Sequence, residues 1–291
     1  MTPSTIAPLF TAFALAVAVT GLHRRLPPAL ATRVVATTMV VVVSAAIPTM
    51  WLTTVAFLAH SPLAGGGFEW CAKAFGVHHQ PVPAVLGIAS GFVAVVGTVR
   101  AIRAIRAHRS LRHDHAGSIE VLGHDQPFAF TLPGRGGHIV LSSALTDLLD
   151  DREQAIVLAH ESAHGRHRHD RYLLIAHVAS SAVPLLRPLA TRLEYSLERW
   201  ADEAAVRSCG NRTMVARTLG RVALGQFATA GVAGFAGLGV PARVAALLAP
   251  PVRRPPRGLV AAMWLVIAAT GVLAMFQLHH LSALITALCP D

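Results

Sequence analysis

His160-Glu161-Ser162-Ala163-His164 is the stretch of this 291-residue sequence with the clearest chemical content. Residues four apart on a helix sit about 40° apart around its axis, so His160 and His164 can direct two imidazoles at one metal ion. Glu161 stands beside them, free to hold an attacking water. The spacing predicts zinc-assisted hydrolysis of a peptide bond. Histidine is abundant, at sixteen residues, so a helix with two surface histidines is the plainer alternative. A third ligand decides between them, because a catalytic zinc takes three protein ligands and keeps one position open. Downstream, Glu194, Glu198 and Asp202 recur at four-residue steps and share one helical face. One carboxylate can ligate zinc while the next orients a ligating histidine. Glu198 is assigned as the ligand and Asp202 as the orienting group. Without the upstream motif, the same stretch would read as a charged helix face.

These residues need elements to hold them. Ala155-Ile156-Val157-Leu158 leads into the motif, and a helix is expected from near Thr146, where Asp147, Asp150, Asp151 and Glu153 suit its positive end. Ahead of it, Gln126 to Thr131 and His138 to Ser142 alternate and are joined by Leu-Pro-Gly-Arg-Gly-Gly, which predicts a hairpin. An extended peptide could add to its edge, although packing alone also explains a strand there. Tyr195, Arg207 and His138 are unranked candidates for stabilising an oxyanion.

The rest of the chain is apolar. With 53% hydrophobic and 14% charged residues, it falls outside ordinary soluble composition. Ile6 to Leu22, Val34 to Ala59, Ala84 to Val99 and Gly258 to Leu288 are long enough to cross a bilayer. Ile6 to Leu22 lacks a basic lead-in, which favours a retained span over a signal peptide. Pro48 is expected to kink the second span, and Gly87, Gly91 and Gly97 suit close packing of the third. The net charge of +10 is almost all arginine. Arg24, Arg25 and Arg33 lie in the first loop, Arg100 to Arg112 follow the third span, and Arg253, Arg254 and Arg257 precede the fourth. Positive charge retained inside then puts the motif in the cytoplasm and both termini outside. The arginines at 100, 103, 106, 109 and 112 spiral around their helix and suit a solvated stalk at lipid headgroups, so no direct nucleic-acid partner is expected.

Two further apolar stretches are not taken as spans. Tyr172 to Leu186 would separate the ligands across the membrane, and is expected as a core or surface helix with Asp170 as N-cap. Leu219 to Val240 contains Arg221 and Gln226, and crossing there would put four arginines outside. It is expected as a loose segment near the site. Cys71 and Cys289 fall outside by this topology and could pair, whereas Cys209 is cytoplasmic.

The motif at 160–164, the basic run ending Arg168-His169-Asp170, the sequence Glu198-Arg-Trp-Ala-Asp202-Glu-Ala-Ala and the stretch Arg243 to Pro251 resemble the BlaR/MecR-type antirepressor membrane metallopeptidases. The likeness covers nearly the whole chain. It implies an α-helical multi-pass membrane protein of four spans with an inserted α+β zinc metallopeptidase domain of gluzincin type. Residues 1–99 would hold three spans, 100–257 the cytoplasmic peptidase and 258–291 the fourth span with a short outer tail. It also implies His160, His164 and Glu198 as zinc ligands, Glu161 as base and Asp202 beside them. The substrate would be a cytoplasmic protein, a transcriptional repressor in the regulatory members, and the bilayer would be the other partner. One departure is that only Cys289, Pro290 and Asp291 follow Leu288, so a C-terminal penicillin-binding sensor is not expected. HtpX-type quality-control peptidases share the chemistry but usually place two spans first. A zinc-binding sensor or scaffold without catalysis is a rival that has no use for Glu161. Metal transport has no interior acidic residue in the spans to support it.

Overall fold

A computed structural model describes residues 3–59, 82–110, 117–133, 137–230 and 239–288. Among these the chain is mostly helical. Helices α1 (Pro3–Leu22), α2 (Pro28–Ala59), α3 (Ala84–Ser110) and α10 (Arg257–Leu288) contain stretches long and apolar enough to cross a membrane. The second begins at Pro28, ahead of the apolar run at Val34, because proline at a first helical position sacrifices no hydrogen bond. Pro48 sits inside it without ending it. Gly87 and Gly91 of α3 face Phe57 and Thr54 of α2, and Gly97 faces the Ala182 carbonyl. The small residues thus serve the close packing expected of them. Arg100, Arg103, Arg106 and Arg109 are exposed on α3, but the helix is not solvated all round. Ala104 is buried, and α3 packs along the helix that carries Ala182.

A three-stranded sheet precedes the helix that carries His160 and His164. Strands β2 (Ala129–Leu132) and β3 (His138–Ser142) pair antiparallel, as the alternation predicts. The strand not anticipated is β1 (Ile119–Leu122), which pairs parallel with β3 and gives the order β1-β3-β2. Ser142 then caps α4 (Ser143–Leu148), its hydroxyl accepting from the Leu145 amide. A single helix from Thr146 through the motif is not what forms. The chain breaks at Leu149, and α5 (Asp151–Arg166) starts with a capping box in which Asp150 and Glu153 satisfy each other's backbone amides. Asp147 belongs to the shorter helix. Buried Glu153 also accepts from Arg221 at 2.7 Å, fixing α5 to a later helix.

The segment from Tyr172 falls mostly within α6 (His169–Ala182), followed by a 3-10 turn at Pro184–Leu186. Asp170 is not its N-cap. Arg168 takes that position in the left-handed region, and Asp170 lies in the first turn. Helix α7 (Arg187–Cys209) buries Leu189, Leu193, Leu197 and Trp200 on one side and ends at Gly210 with φ 71°. The expected loose segment is also corrected: Leu219 to Ala230 are helical, within α8 (Arg212–Ala230), while 231–238 lie outside the described residues. Helix α9 (Val240–Leu248) completes this part.

One core joins the two regions. Val34, Met39 and Val42 of α2 pack with Ala12 of α1, Ala176 of α6, Leu193 of α7 and Ile267 of α10. Helix α7, which carries Glu198 and Asp202, therefore rests directly on the apolar helices beside α6, and α5 is held through α7. Smaller clusters centre on Ile156, Ala205 and Val215, and on Ile139, Leu141 and Leu145. Cys71 and Cys289 lie outside the described residues, and Cys209 is an exposed free thiol.

Candidate active site

Helix α5 presents His160 and His164, and α7 crosses it with Glu198. His160 Nε2 and His164 Nε2 are 3.2 Å apart. Glu198 places its carboxylate oxygens 3.4 Å from the first nitrogen and 3.5 Å from the second. Four ligands around a zinc ion at about 2.0–2.1 Å lie about 3.3–3.4 Å from one another in tetrahedral geometry. Two imidazoles and a carboxylate at that spacing fit such an ion, and these three residues could hold one. Glu194, one turn earlier on α7, is not part of this group. Its carboxyl is pushed up by burial and by Glu198.

Behind the donors, Asp202 is buried and stands 3.1 Å from His160 Nδ1. The sequence did not single out what faces it. Arg243, on α9, is 5% exposed; its Nε and Nη2 donate to Asp202 at 2.9 and 2.6 Å, and its Nη1 lies 2.9 Å from Glu198. A planar guanidinium suits two carboxylates in this way, where an ammonium would not. Helix α9 is held at its far end by Arg212, which donates to Leu247 and Ala246 carbonyls and pairs with Glu203 of α7.

The charges respond to one another. Burial alone would push His160 down, but Asp202 and Glu198 outweigh it and raise its pKa to about 10. The carboxylates thus draw positive charge to this spot, as a cation site requires. Burial would raise Glu198 and Asp202, yet His160 and Arg243 hold both below the usual carboxylate range. His164 is lowered, chiefly by burial. His169, buried against it, is driven down to about 3 by burial and by the neighbouring histidines.

Glu161 lies beside the ligands and meets Thr131 of β2, whose hydroxyl is 2.8 Å from Glu161 Oε2 and 2.9 Å from the Glu161 backbone oxygen. Contact between sheet and helix is close because Gly137, at φ 72°, would carry a Cβ only 2.9 Å from Gly165 Cα. The donors, Glu161 and Arg243 all line one cleft of about 400 Å³, whose walls include Ala129, Phe130, Val157, Leu219 and Val222. Tyr195, Arg207 and His138 are not among its lining residues. Tyr195 donates to the Ala242 carbonyl, His138 is engaged by Ser118 and Glu120, and Arg207 is exposed.

Comparison with curated proteins and with solved structures gives no match. The model of Peptidase family M48 matches residues 99–277. That match takes in more than half of the chain and every one of the metal-ligand candidates, and by it the chain belongs to peptidase family M48, whose members are metal-dependent proteases.

Proposed function

We propose that the chain is a membrane-embedded zinc endopeptidase that cleaves cytoplasmic proteins in a regulatory role, a transcriptional repressor being the expected substrate. His160, His164 and Glu198 would hold the zinc, Glu161 would act as base, and Asp202 would orient His160. The observation that carries this reading is the triangle of donors at 3.2–3.5 Å with Glu161 beside it in an open cleft. When bound, zinc supplies a Lewis acid for the scissile carbonyl and for the attacking water.

The chain's own groups do the rest. Thr131 ties down Glu161 Oε2, which leaves Oε1 to accept the proton of the attacking water and return it to the leaving amine nitrogen. Arg243 steadies Glu198 and Asp202 by charge-assisted hydrogen bonds. Strand β2 is at the sheet edge, and Ala129 to Thr131 line the cleft, so an extended peptide can pair there beside the donors. Glu161 also favours catalysis over a zinc-binding scaffold, which needs no base.

Exposed arginines after the third apolar helix, and those before the fourth, support a cytoplasmic site, outer termini and the division at 99 and 257. Exposed Val85, Phe92 and Leu265 would face lipid. Quality control of membrane proteins is the alternative role for the same site. Proteomes of wild-type and Glu161→Gln cells separate the two. Accumulation of one or a few repressors is expected, and broad accumulation of misfolded membrane proteins with every repressor unchanged would refute the regulatory role.

A further inference from the structure

The two histidine ligand candidates are supported differently. His160 has the Asp202 carboxylate at its Nδ1. At His164 the group in that place is another imidazole, with His169 Nδ1 3.0 Å from His164 Nδ1 and the rings edge to face at 4.7 Å. His169 is 1% exposed and packs against Trp200, with ring centroids 5.0 Å apart. Its other nitrogen, Nε2, has no hydrogen-bond partner among the described residues.

The backbone is bent to put it there. Arg168 is the only non-glycine residue with positive φ among the described residues, at 52°. Left-handed backbone is unfavourable for a side-chain-bearing residue and persists where the surroundings demand it. The turn at His167 and Arg168 ends α5 and starts α6 directly at His169, returning the chain onto the ring of His164.

Proton positions follow from the geometry. His164 Nε2 points into the donor triangle and needs its lone pair there, so its ring proton sits on Nδ1. The group 3.0 Å away must then accept, which puts the proton of His169 on Nε2, the atom without a partner. The opposite arrangement would place the His164 proton on Nε2 and block the lone pair. A residue serving only to fill space would not leave a polar atom desolvated, since phenylalanine or leucine would pack without that cost.

We propose that His169 is a positioning residue that fixes the tautomer and ring orientation of His164 by accepting its Nδ1 proton. The proposal rests on the metal site described under Proposed function. The test uses the full-length protein in detergent, stripped of metal and titrated with zinc against a chromogenic chelator. His169→Phe and His169→Leu should weaken zinc binding about 10–100-fold, the usual effect of losing a group that orients a ligand. His169→Asn, which offers an oxygen where Nδ1 stands, should bind zinc close to wild type. Asparagine and leucine are similar in size and differ in that acceptor, so their comparison does not depend on ring packing. Equal affinity in the Asn, Phe and Leu proteins overturns the proposal. His164→Ala separates the two levels: if it too leaves zinc binding unchanged, the metal site itself is wrong, whereas loss there with no effect at 169 removes only the role of His169.

Discussion

Replacing Arg243 by alanine should harm the protein before any substrate is present. The guanidinium is 6% exposed and the Asp202 side chain 3%, so solvent does little to screen their interaction. Removing it leaves both Asp202 and Glu198 buried with only the neighbouring histidines to offset their charge. Breaking a buried ion pair from one side costs about 3–5 kcal/mol. At roughly 2–4 °C per kcal/mol for a chain of about this size, the melting midpoint should drop by about 6–20 °C. Arg243→Lys should fall between, because an ammonium cannot reproduce the contacts to both carboxylates. Melting of the metal-free proteins in detergent, followed by tryptophan fluorescence, measures this, and zinc titration of the same samples reports whether Glu198 has moved. An alanine protein that melts within a degree of wild type and binds zinc equally would refute the clamp.

Thr131→Val should lower turnover by about 10–100-fold with zinc content unchanged, since a hydrogen bond to a charged group contributes about 1.5–3 kcal/mol; peptide cleavage and metal analysis on one sample check it. Gly137→Ala should destabilise by at least about 1–2 kcal/mol from the left-handed backbone alone. Its Cβ also pushes on Gly165, so activity should fall along with the melting midpoint. For pH, the raised pKa of His160 gives the sign: its contribution is full below 6.5 and is lost as pH rises through about 10. The metal-free protein should therefore melt progressively earlier between those values, and His160→Gln should flatten that part of the profile.

The parts of the site that the sequence revealed are those carried by short helical spacing. His160, Glu161 and His164 lie within one turn and a half, and Glu198 and Asp202 are one step of four apart, so each group could be placed on its face without knowing the fold. Arg243 could not be placed in this way, because its partner Asp202 is 41 residues earlier and on another helix. His169 was hidden by the surrounding basic and histidine-rich run, because its contact with His164 depends on the left-handed turn at Arg168 that returns the chain onto that ring. Acidic residues from Asp147 to Glu153 blurred the start of α5, although Asp150 and Glu153 have the three-residue spacing of a capping box. Glycine at 220 and 225 made α8 look loose, yet Val215 and Ala216 bury against Ile156 and hold it. Its helicity comes from tertiary packing over weak local propensity. Strand β1 was missed because its partner Ile139 is twenty residues from Ile119 and the pairing is parallel.

Metal content and cleavage measured together on wild type and Glu161→Gln test the central claim most directly. The account predicts one zinc per chain in both proteins, with peptide hydrolysis in the wild type and none above background in the variant. Cleavage that survives in Glu161→Gln, or a wild-type protein that cleaves without any bound metal, would contradict it.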